Sequence, residues 1–243
     1  MLRKPLLYTL ILIVLIALFW AAYSYLKTAD LYTPLTPLSE EHTIGYATSA
    51  ACAQCHPKEY AQWQMSDHFK AMQVATDSTV LGDFNNATYT ADGITSLFFR
   101  KDGQFFIRTQ NEKGEQQDFP VRYTFGHYPL QQYITDFPNG KKQVFRQCWD
   151  SREKRWFHQY AGEIIPPNDY LHWTQSGQNW NLMCASCHST NLQKNLDPYT
   201  DSYHTTYSEL TVGCEACHGA AKEHVQSQGR TPTPSPMGSQ SQE

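Results

Sequence analysis

Hydrophobic residues are distributed unevenly along this chain, and the longest run of them lies near the N-terminus. Residues 6–26 contain no charged side chain and are mostly Leu, Ile, Val, Ala and aromatic residues. As a helix with a rise of 1.5 Å per residue, this run would be about 31 Å long, enough to cross the hydrocarbon core of a bilayer. Arg3 and Lys4 precede it, and positively charged flanks stay in the cytoplasm. The pattern predicts an N-terminal transmembrane helix, with residues 1–29 as a membrane anchor.

A cleaved signal peptide also has a basic start and an apolar core. The run here is longer than a usual signal core, and Lys27-Thr28-Ala29-Asp30 is a poor cleavage site of the small-x-small kind. The length therefore favours an uncleaved anchor and a single-pass protein of the cytoplasmic membrane. Both interpretations place the rest of the chain in the periplasm or an equivalent exterior compartment.

A helical spacing of apolar residues returns between residues 57 and 72, and Pro57 suits the first turn of a helix. From about residue 87 to residue 160 the pattern changes to β-branched and aromatic runs. The predicted strands are residues 94–100, 104–109, 118–125, 143–149 and 155–160. The turn dipeptides between them are Asp92-Gly93, Asp102-Gly103, Lys113-Gly114 and Asn139-Gly140. Residues 129–134 are predicted as a short helix within a β-meander, and the whole as an α+β fold.

The flanking segments have no such periodicity. Residues 30–46 contain Pro34, Pro37 and Ser39, which is typical of a tether. Residues 227–243 are rich in Pro, Ser, Gln and Gly, which predicts a disordered tail or linker. The predicted globular domain is therefore residues 47–226. Its chain carries a formal net charge of −4, so nothing indicates a nucleic-acid-binding surface.

The chemistry of the chain lies in three copies of one motif, two cysteines separated by two residues and followed directly by histidine. The copies are Cys52-Ala-Gln-Cys55-His56, Cys184-Ala-Ser-Cys187-His188 and Cys214-Glu-Ala-Cys217-His218. This spacing is the attachment motif for c-type haem. Two thiols on one turn of chain can add across the two vinyl groups of a porphyrin, while the adjacent imidazole binds the iron. The motifs predict three covalently attached haem c groups.

Zinc binding is the alternative interpretation, because Cys-x-x-Cys pairs are also common zinc ligands. Cys184, Cys187, Cys214 and Cys217 could form a four-thiolate site. That site would leave the first cysteine pair and all three motif histidines unexplained, and disulfides within each pair are less favoured still. Cys148, the remaining cysteine, is predicted as a buried small apolar residue, with a reactive thiol or an intermolecular disulfide as alternatives.

Seven histidines outside the motifs could supply a second axial ligand to iron. They are His42, His68, His127, His158, His172, His204 and His224. If residues 57–72 form one helix, His68 lies too far from His56 to bind the same iron. Met65, Met72 or Met183 could instead give His/Met ligation. Methionines in aromatic-rich helices usually serve packing, so bis-histidine ligation is the default.

Several segments together carry a resemblance to a known family. They are the first motif with Trp63 and His68, residues 155–158, 171–173, 178–181 and 183–191, and residues 212–219 around the third motif. Across about residues 46–226 the chain resembles a bacterial multihaem cytochrome c family that is related to the tetrahaem cytochromes of nitrifiers and is often fused to tetratricopeptide repeats. The resemblance implies that His68 and His224 are distal ligands, and that His158 and His172 compete for the third such role.

The function that asks least of the sequence is electron transfer between redox partner proteins, by a membrane-anchored periplasmic cytochrome with three bis-histidine haems and no catalytic residue. The alternative is a reductase or oxidase of a small nitrogen or sulfur compound at one haem with an open sixth position. Tyr, His and Arg side chains near the later motifs could then act as proton donors. A third hypothesis is a redox-sensing or docking module. Fold kinship alone does not carry an activity.

Overall fold

The computed structural model describes residues 4–29 and 45–234; in the first range, side chains are described for residue 8 and residues 11–23. Residues 30–44 and 235–243 lie outside the described residues, and with them most of the predicted tether, the end of the predicted tail and His42. The described start of that tail, residues 227–234, forms turns in which the Thr231 backbone N–H donates to Ser227 Oγ at 2.9 Å.

Short helices carry the three motifs, whereas the longest helix lies at the N-terminus. The helices are α1 (Lys4–Ala29), α2 (Ser49–Cys52), α3 (Pro57–Met65), α4 (Trp180–Met183), α5 (Ala185–His188), α6 (Cys214–His218) and α7 (Lys222–Gln226). Two 3-10 turns lie at Pro138–Gly140 and Ser176–Gln178.

The N-terminal helix differs from the sequence prediction. Within residues 4–29 and 45–234, no helix is both long and apolar enough to span a bilayer. The predicted N-terminal transmembrane helix is therefore wrong, and so is the single-pass membrane location derived from it.

The strands form antiparallel sheets. They are β1 (Met72–Val74), β2 (Ala87–Ala91), β3 (Ile94–Lys101), β4 (Gln104–Gln110), β5 (Gln116–Pro120), β6 (Tyr123–Phe125), β7 (Leu130–Asp136), β8 (Lys142–Val144), β9 (Gln147–Asp150), β10 (Arg155–His158), β11 (Leu196–Asp197) and β12 (Ser202–Tyr203). All strands but β11 and β12 lie between the first motif and the second, and every pairing is antiparallel among the described residues. One sheet has the order β2-β3-β4-β5, and a six-stranded sheet has the order β1-β6-β7-β9-β10 with β8 paired to β7. Strands β11 and β12 pair separately.

Two of the predicted turn dipeptides close tight hairpins. Asp92 and Gly93 have φ angles of 52° and 78°, and Asp102 and Gly103 have φ angles of 51° and 75°. Positive φ at both central residues gives a type I′ turn, whose twist matches that of the flanking strands. The turns fix the register of β2 against β3 at Ala91↔Ile94, and the register of β3 against β4 at Lys101↔Gln104.

Two predicted helices of the globular part differ from their predicted form. The predicted short helix at residues 129–134 is instead strand β7, because its polar residues find tertiary partners there: Gln131 Nε2 donates to the Thr79 carbonyl at 2.9 Å, and Gln132 Nε2 donates to the Phe145 carbonyl. The helix predicted for residues 57–72 ends at Met65. Ser66 is extended and its hydroxyl donates to the Trp63 carbonyl at 2.7 Å, which ends the helix.

An aromatic core lies between the two larger sheets; we call this part of the chain, residues 72–160, the β lobe. Phe84 contacts four other rings edge-on, and Phe98 stacks on Trp156 with ring centroids 3.5 Å apart. A second buried cluster joins β1, β6, β7 and β8 to Trp180 and Ala185 of α4 and α5. The sheets therefore provide a rigid support on which the second motif rests.

Candidate functional site

Each motif lies on or directly beside a short helix: α2 ends at Cys52, α5 begins after Cys184 and α6 begins at Cys214. In the first motif the His56 backbone N–H donates to the Cys52 carbonyl at 2.8 Å, and in the second the Cys187 N–H donates to the Cys184 carbonyl at 3.1 Å. The third motif is helix α6 itself. A single turn places both thiols and the following imidazole on neighbouring positions, which is the arrangement that one porphyrin requires.

The first and third motifs, far apart in sequence, line one cavity of about 460 Å³. The side chains around it are Cys52, His56, Glu59, Tyr60, Trp63, His68, Val212, Cys214, Glu215, Cys217, His218, Ala221, His224 and Thr233. The first cysteines of the two motifs are neighbours: burial, and next the Cys214 thiol, raise the pKa of the Cys52 thiol to about 12. The structure thus brings together two of the three predicted haem motifs.

Two acidic residues hold the first motif against the third. Glu215, between the two cysteines of the third motif, is 2% exposed and accepts backbone N–H groups from Ala47, Thr48 and Ala221 at 2.8–2.9 Å. Glu209 accepts the Ser49 hydroxyl at 2.7 Å and the Ser49 backbone N–H at 3.1 Å. These contacts fix the chain on both sides of the cavity. Sequence reasoning missed both residues, and the one available signal was a charged residue inside the third motif.

Trp63, on helix α3, lines the same cavity. Its indole Nε1–H donates to the Val212 carbonyl at 2.8 Å, and its ring packs edge-on against Phe69 with centroids 4.9 Å apart. The segment that carries His68 is held by the residues just before the third motif. The His68 carbonyl accepts from the Val212 N–H at 3.3 Å and from the Thr211 hydroxyl. Helix α3 and the segment before the third motif therefore position His68 at the cavity.

His224 faces His56 across the cavity. The two imidazole centroids are 6.3 Å apart and the ring planes differ by 19°. The Nδ1–H of His224 donates to the Thr231 carbonyl at 2.7 Å. In metal-binding histidines the nitrogen that does not bind the metal usually donates to a carbonyl or carboxylate, which leaves the other nitrogen unprotonated. His224 has the tautomer that a metal ligand needs.

The second motif has different surroundings. The His188 ring packs against Phe125 with centroids 4.3 Å apart, and its Nδ1 is buried without a hydrogen-bond partner. Burial lowers the pKa of His188 and, together with Cys187, raises the pKa of Cys184 to about 11. Among residues 45–234, no second imidazole ring is in contact with that of His188.

His158 and His172 do not line the cavity of the first and third motifs; both line a smaller cavity beside Arg146. Their Nδ1 atoms accept backbone N–H groups, from Tyr160 at 3.3 Å and from Thr174 at 3.4 Å respectively. In the neutral imidazole the proton is then on Nε2, the opposite of the His224 tautomer. Burial, and next the charge of Arg146, lower the pKa of both histidines.

The residues present fit haem better than zinc. In the described part of the chain, no three His, Cys, Asp or Glu side chains are grouped to hold a bare metal ion, so the four cysteines of the later motifs do not form a four-thiolate site. The cavity has the size of a site for a large organic cofactor, and its walls are mostly apolar. The groups in the cavity that could hold a haem are cysteine thiols and histidine imidazoles. Cys148 is 1% exposed and burial raises its pKa to about 12, as for an inert buried thiol.

Comparisons with known proteins agree with this chemistry. The sequence profile of the family described as "Cytochrome c554 and c-prime" matches residues 51–90 and 146–219, which include all three motifs. The crystal structure of the outer cell wall cytochrome OcwA is similar to this chain, with a TM-score of 0.50 at 18% identity. That similarity covers 78% of this chain and 35% of OcwA, so the chain spans about a third of the length of that cytochrome. No protein with curated function matches the sequence.

Proposed function

The chain belongs to a bacterial multihaem cytochrome c family, and from that premise we propose that it transfers electrons between redox partner proteins through three covalently attached haem c groups. Haem c supplies a one-electron iron couple when bound, and the protein sets its potential through axial ligands and burial. The observation that carries the proposal is the shared cavity, in which two attachment motifs meet two further histidines.

The geometry around His56 supports a bis-histidine site. Two imidazoles on opposite sides of one metal ion, each with a metal–nitrogen distance of about 2.0 Å, have ring centroids about 6 Å apart. His56 and His224 have that separation, 6.3 Å, and nearly parallel planes. The hydrogen bond from His224 Nδ1–H to the Thr231 carbonyl leaves Nε2 available. We assign His56 and His224 as the axial pair of the haem on Cys52 and Cys55.

His68 then serves the third motif. It lines the same cavity as His218, and His56 is already paired with His224. His68 follows the first motif in sequence but is tied through its backbone to Val212, two residues before the third motif. We assign His218 and His68 as the axial pair of the haem on Cys214 and Cys217. In this assignment, the second axial histidine of each of the two haems comes from outside the motif that attaches it.

The nearness of the first and third motifs supports electron transfer. Cys214 is close enough to act on the pKa of the Cys52 thiol, so haems attached to these two motifs would be neighbours and could exchange electrons. A bis-histidine haem needs no substrate site, and close packing of two such groups gives a path for electrons through the domain. The role of the protein groups is to fix ligand type, spacing and burial.

A second candidate function rests on the second motif. His188 packs against Phe125 and contacts no second imidazole among residues 45–234. His158 and His172, the sequence candidates for this role, carry their protons on Nε2. A haem on Cys184 and Cys187 with one histidine ligand would be open to a small nitrogen or sulfur compound, as the enzyme hypothesis requires.

The test is to measure haem content and carbon monoxide binding on the same purified sample. We expect a mass increase of three haems per chain and a reduced spectrum in which carbon monoxide changes one haem equivalent at most. A change of one equivalent favours the second candidate function, and an unchanged spectrum favours pure electron transfer. A chain without haem, or with two or more equivalents reacting, would contradict the proposal.

A further inference from the structure

A second, much smaller cavity of about 80 Å³ lies in the β lobe, away from the first and third motifs. Strands β2, β3, β4, β9 and β10 and the loop before α4 contribute to its walls. Its polar lining includes Arg146, Gln147, His158, Glu163 and His172.

Arg146 is the unusual residue of this cavity. It is 4% exposed, and its Nε and Nη2 atoms are buried without a hydrogen-bond partner. Its guanidinium packs on the Tyr160 ring, 4.6 Å from the centroid. No carboxylate of the described residues lies within ion-pair distance of it, although Asp169 and Glu163 are close enough to act on its pKa. A buried guanidinium of this kind is strongly destabilising unless an acceptor meets it.

The neighbouring groups complete a site for an acceptor. His158 and His172 accept backbone N–H groups at Nδ1, so each neutral ring has its donor at Nε2. Gln147 Nε2 donates to the Ser96 hydroxyl at 2.9 Å, which fixes the side chain, while its Oε1 is buried without a partner. Three donor side chains and one acceptor thus line the space, and the two carboxylates at its wall, Asp92 and Glu163, are both exposed to solvent.

We propose that this cavity binds a small monovalent oxyanion through the guanidinium of Arg146. The cavity has room for an anion of three or four heavy atoms together with one water, since about 10–15 Å³ of such a cavity is enough to hold a single water. A planar oxyanion accepts two parallel N–H bonds from an arginine fork, and the water would meet Gln147 Oε1. The site contains no residue of a haem motif, so it stands or falls independently of the electron-transfer proposal.

Formate is the probe, titrated into the oxidised holoprotein by calorimetry at constant ionic strength. We expect one saturable site per chain with an unchanged Soret band, because the anion does not bind iron. Arg146→Gln should weaken binding at least tenfold, and Arg146→Lys should weaken it about threefold or more because lysine lacks the planar fork. Arg155→Gln is the matched control: it removes the same charge from an exposed position on β10 and should leave binding unchanged.

The wild-type titration decides the proposal even if Arg146→Gln does not fold. Absence of saturable binding to the wild-type holoprotein overturns it. So does binding that perturbs the Soret band and persists in Arg146→Lys with the wild-type affinity, because that anion would be at a haem. Equal weakening by Arg146→Gln and Arg155→Gln would also overturn it, since only the net charge would then matter.

Discussion

The β lobe and the region around the first and third motifs are built in opposite ways. The β lobe fills its interior with its own side chains, and Phe84, Phe98, Tyr133 and Trp156 contact one another at 0–8% exposure. The other region consists of helical segments of four to nine residues around a cavity of about 460 Å³. Helices this short are marginal on their own in water. The β lobe therefore forms its core from its own side chains, whereas the region around the first and third motifs depends on a covalent cofactor for its core.

Loss of one haem attachment should have the largest effect. The double variant Cys214→Ala/Cys217→Ala is expected to lose one haem per chain and to loosen the region around the first motif as well, because both motifs line one cavity. The β lobe should stay folded. Mass spectrometry gives the haem count, and hydrogen exchange shows which amides lose protection. Cys148→Ala, which changes a buried cysteine outside the motifs, should keep three haems. Equal loss of protection in both regions would contradict the comparison.

Trp156→Ala should destabilise the β lobe and leave the haem-binding region intact. Trp156 stacks on Phe98 and donates from Nε1 to the Asp83 carbonyl at 3.1 Å, so truncation removes a packed ring and a hydrogen bond. We expect a loss of about 3–5 kcal/mol in the free energy of unfolding, measured by urea denaturation of the β lobe. Haem content at low temperature should not change. Tyr199→Ala, at a 98% exposed position, is the control and should stay within about 0.5 kcal/mol of wild type.

Glu215→Gln tests the connection between the first and third motifs. The amide has one acceptor oxygen in place of two, so one or two of the N–H groups of Ala47, Thr48 and Ala221 lose their partner. We expect a loss of about 1–3 kcal/mol in the free energy of unfolding, seen as earlier denaturation of this region. Glu223→Gln, an exposed neighbour, should have little effect. Identical behaviour of the two variants would show that the Glu215 contacts do not hold the motifs together.

The smallest effect concerns pH. Burial and Arg146 lower the pKa of His172 in the folded state below 6.5. As pH falls through 6.5, the unfolded chain binds a proton that the folded chain does not, so the free energy of unfolding falls until the folded pKa is passed and is constant below it. Between about pH 7.5 and 5.5, His172→Gln should therefore lose less stability than wild type. Parallel pH profiles of the two proteins in urea denaturation would contradict this.

The sequence predicted the β lobe better than the haem region, for local reasons. Alternating apolar residues and the two Asp-Gly turns specify strands β3 and β4 without reference to the rest of the fold. Strand β7 was missed because Gln131 and Gln132 read as polar helix positions, and their partners Thr79 and Phe145 are distant in sequence. Three attachment motifs were visible from spacing alone.

The proposed distal ligands could not be chosen from sequence, because the proposal rests on the hydrogen bonds that each ring makes. His224 donates from Nδ1 to a carbonyl, whereas His158 and His172 accept N–H groups there. Only the folded backbone around each ring makes that distinction. The membrane prediction shows the limit of counting apolar residues, since it depended on one run in the sequence and the described residues contain no spanning helix.

The most direct test of the account is the carbon monoxide reactivity of reduced His224→Ala compared with His158→Gln, each measured against wild type with haem content determined on the same sample. We predict that His224→Ala gains one carbon monoxide-reactive haem equivalent because His56 loses its axial partner, and that His158→Gln equals wild type. A gain in His158→Gln, or none in His224→Ala with all three haems attached, would contradict the proposed ligand pairs.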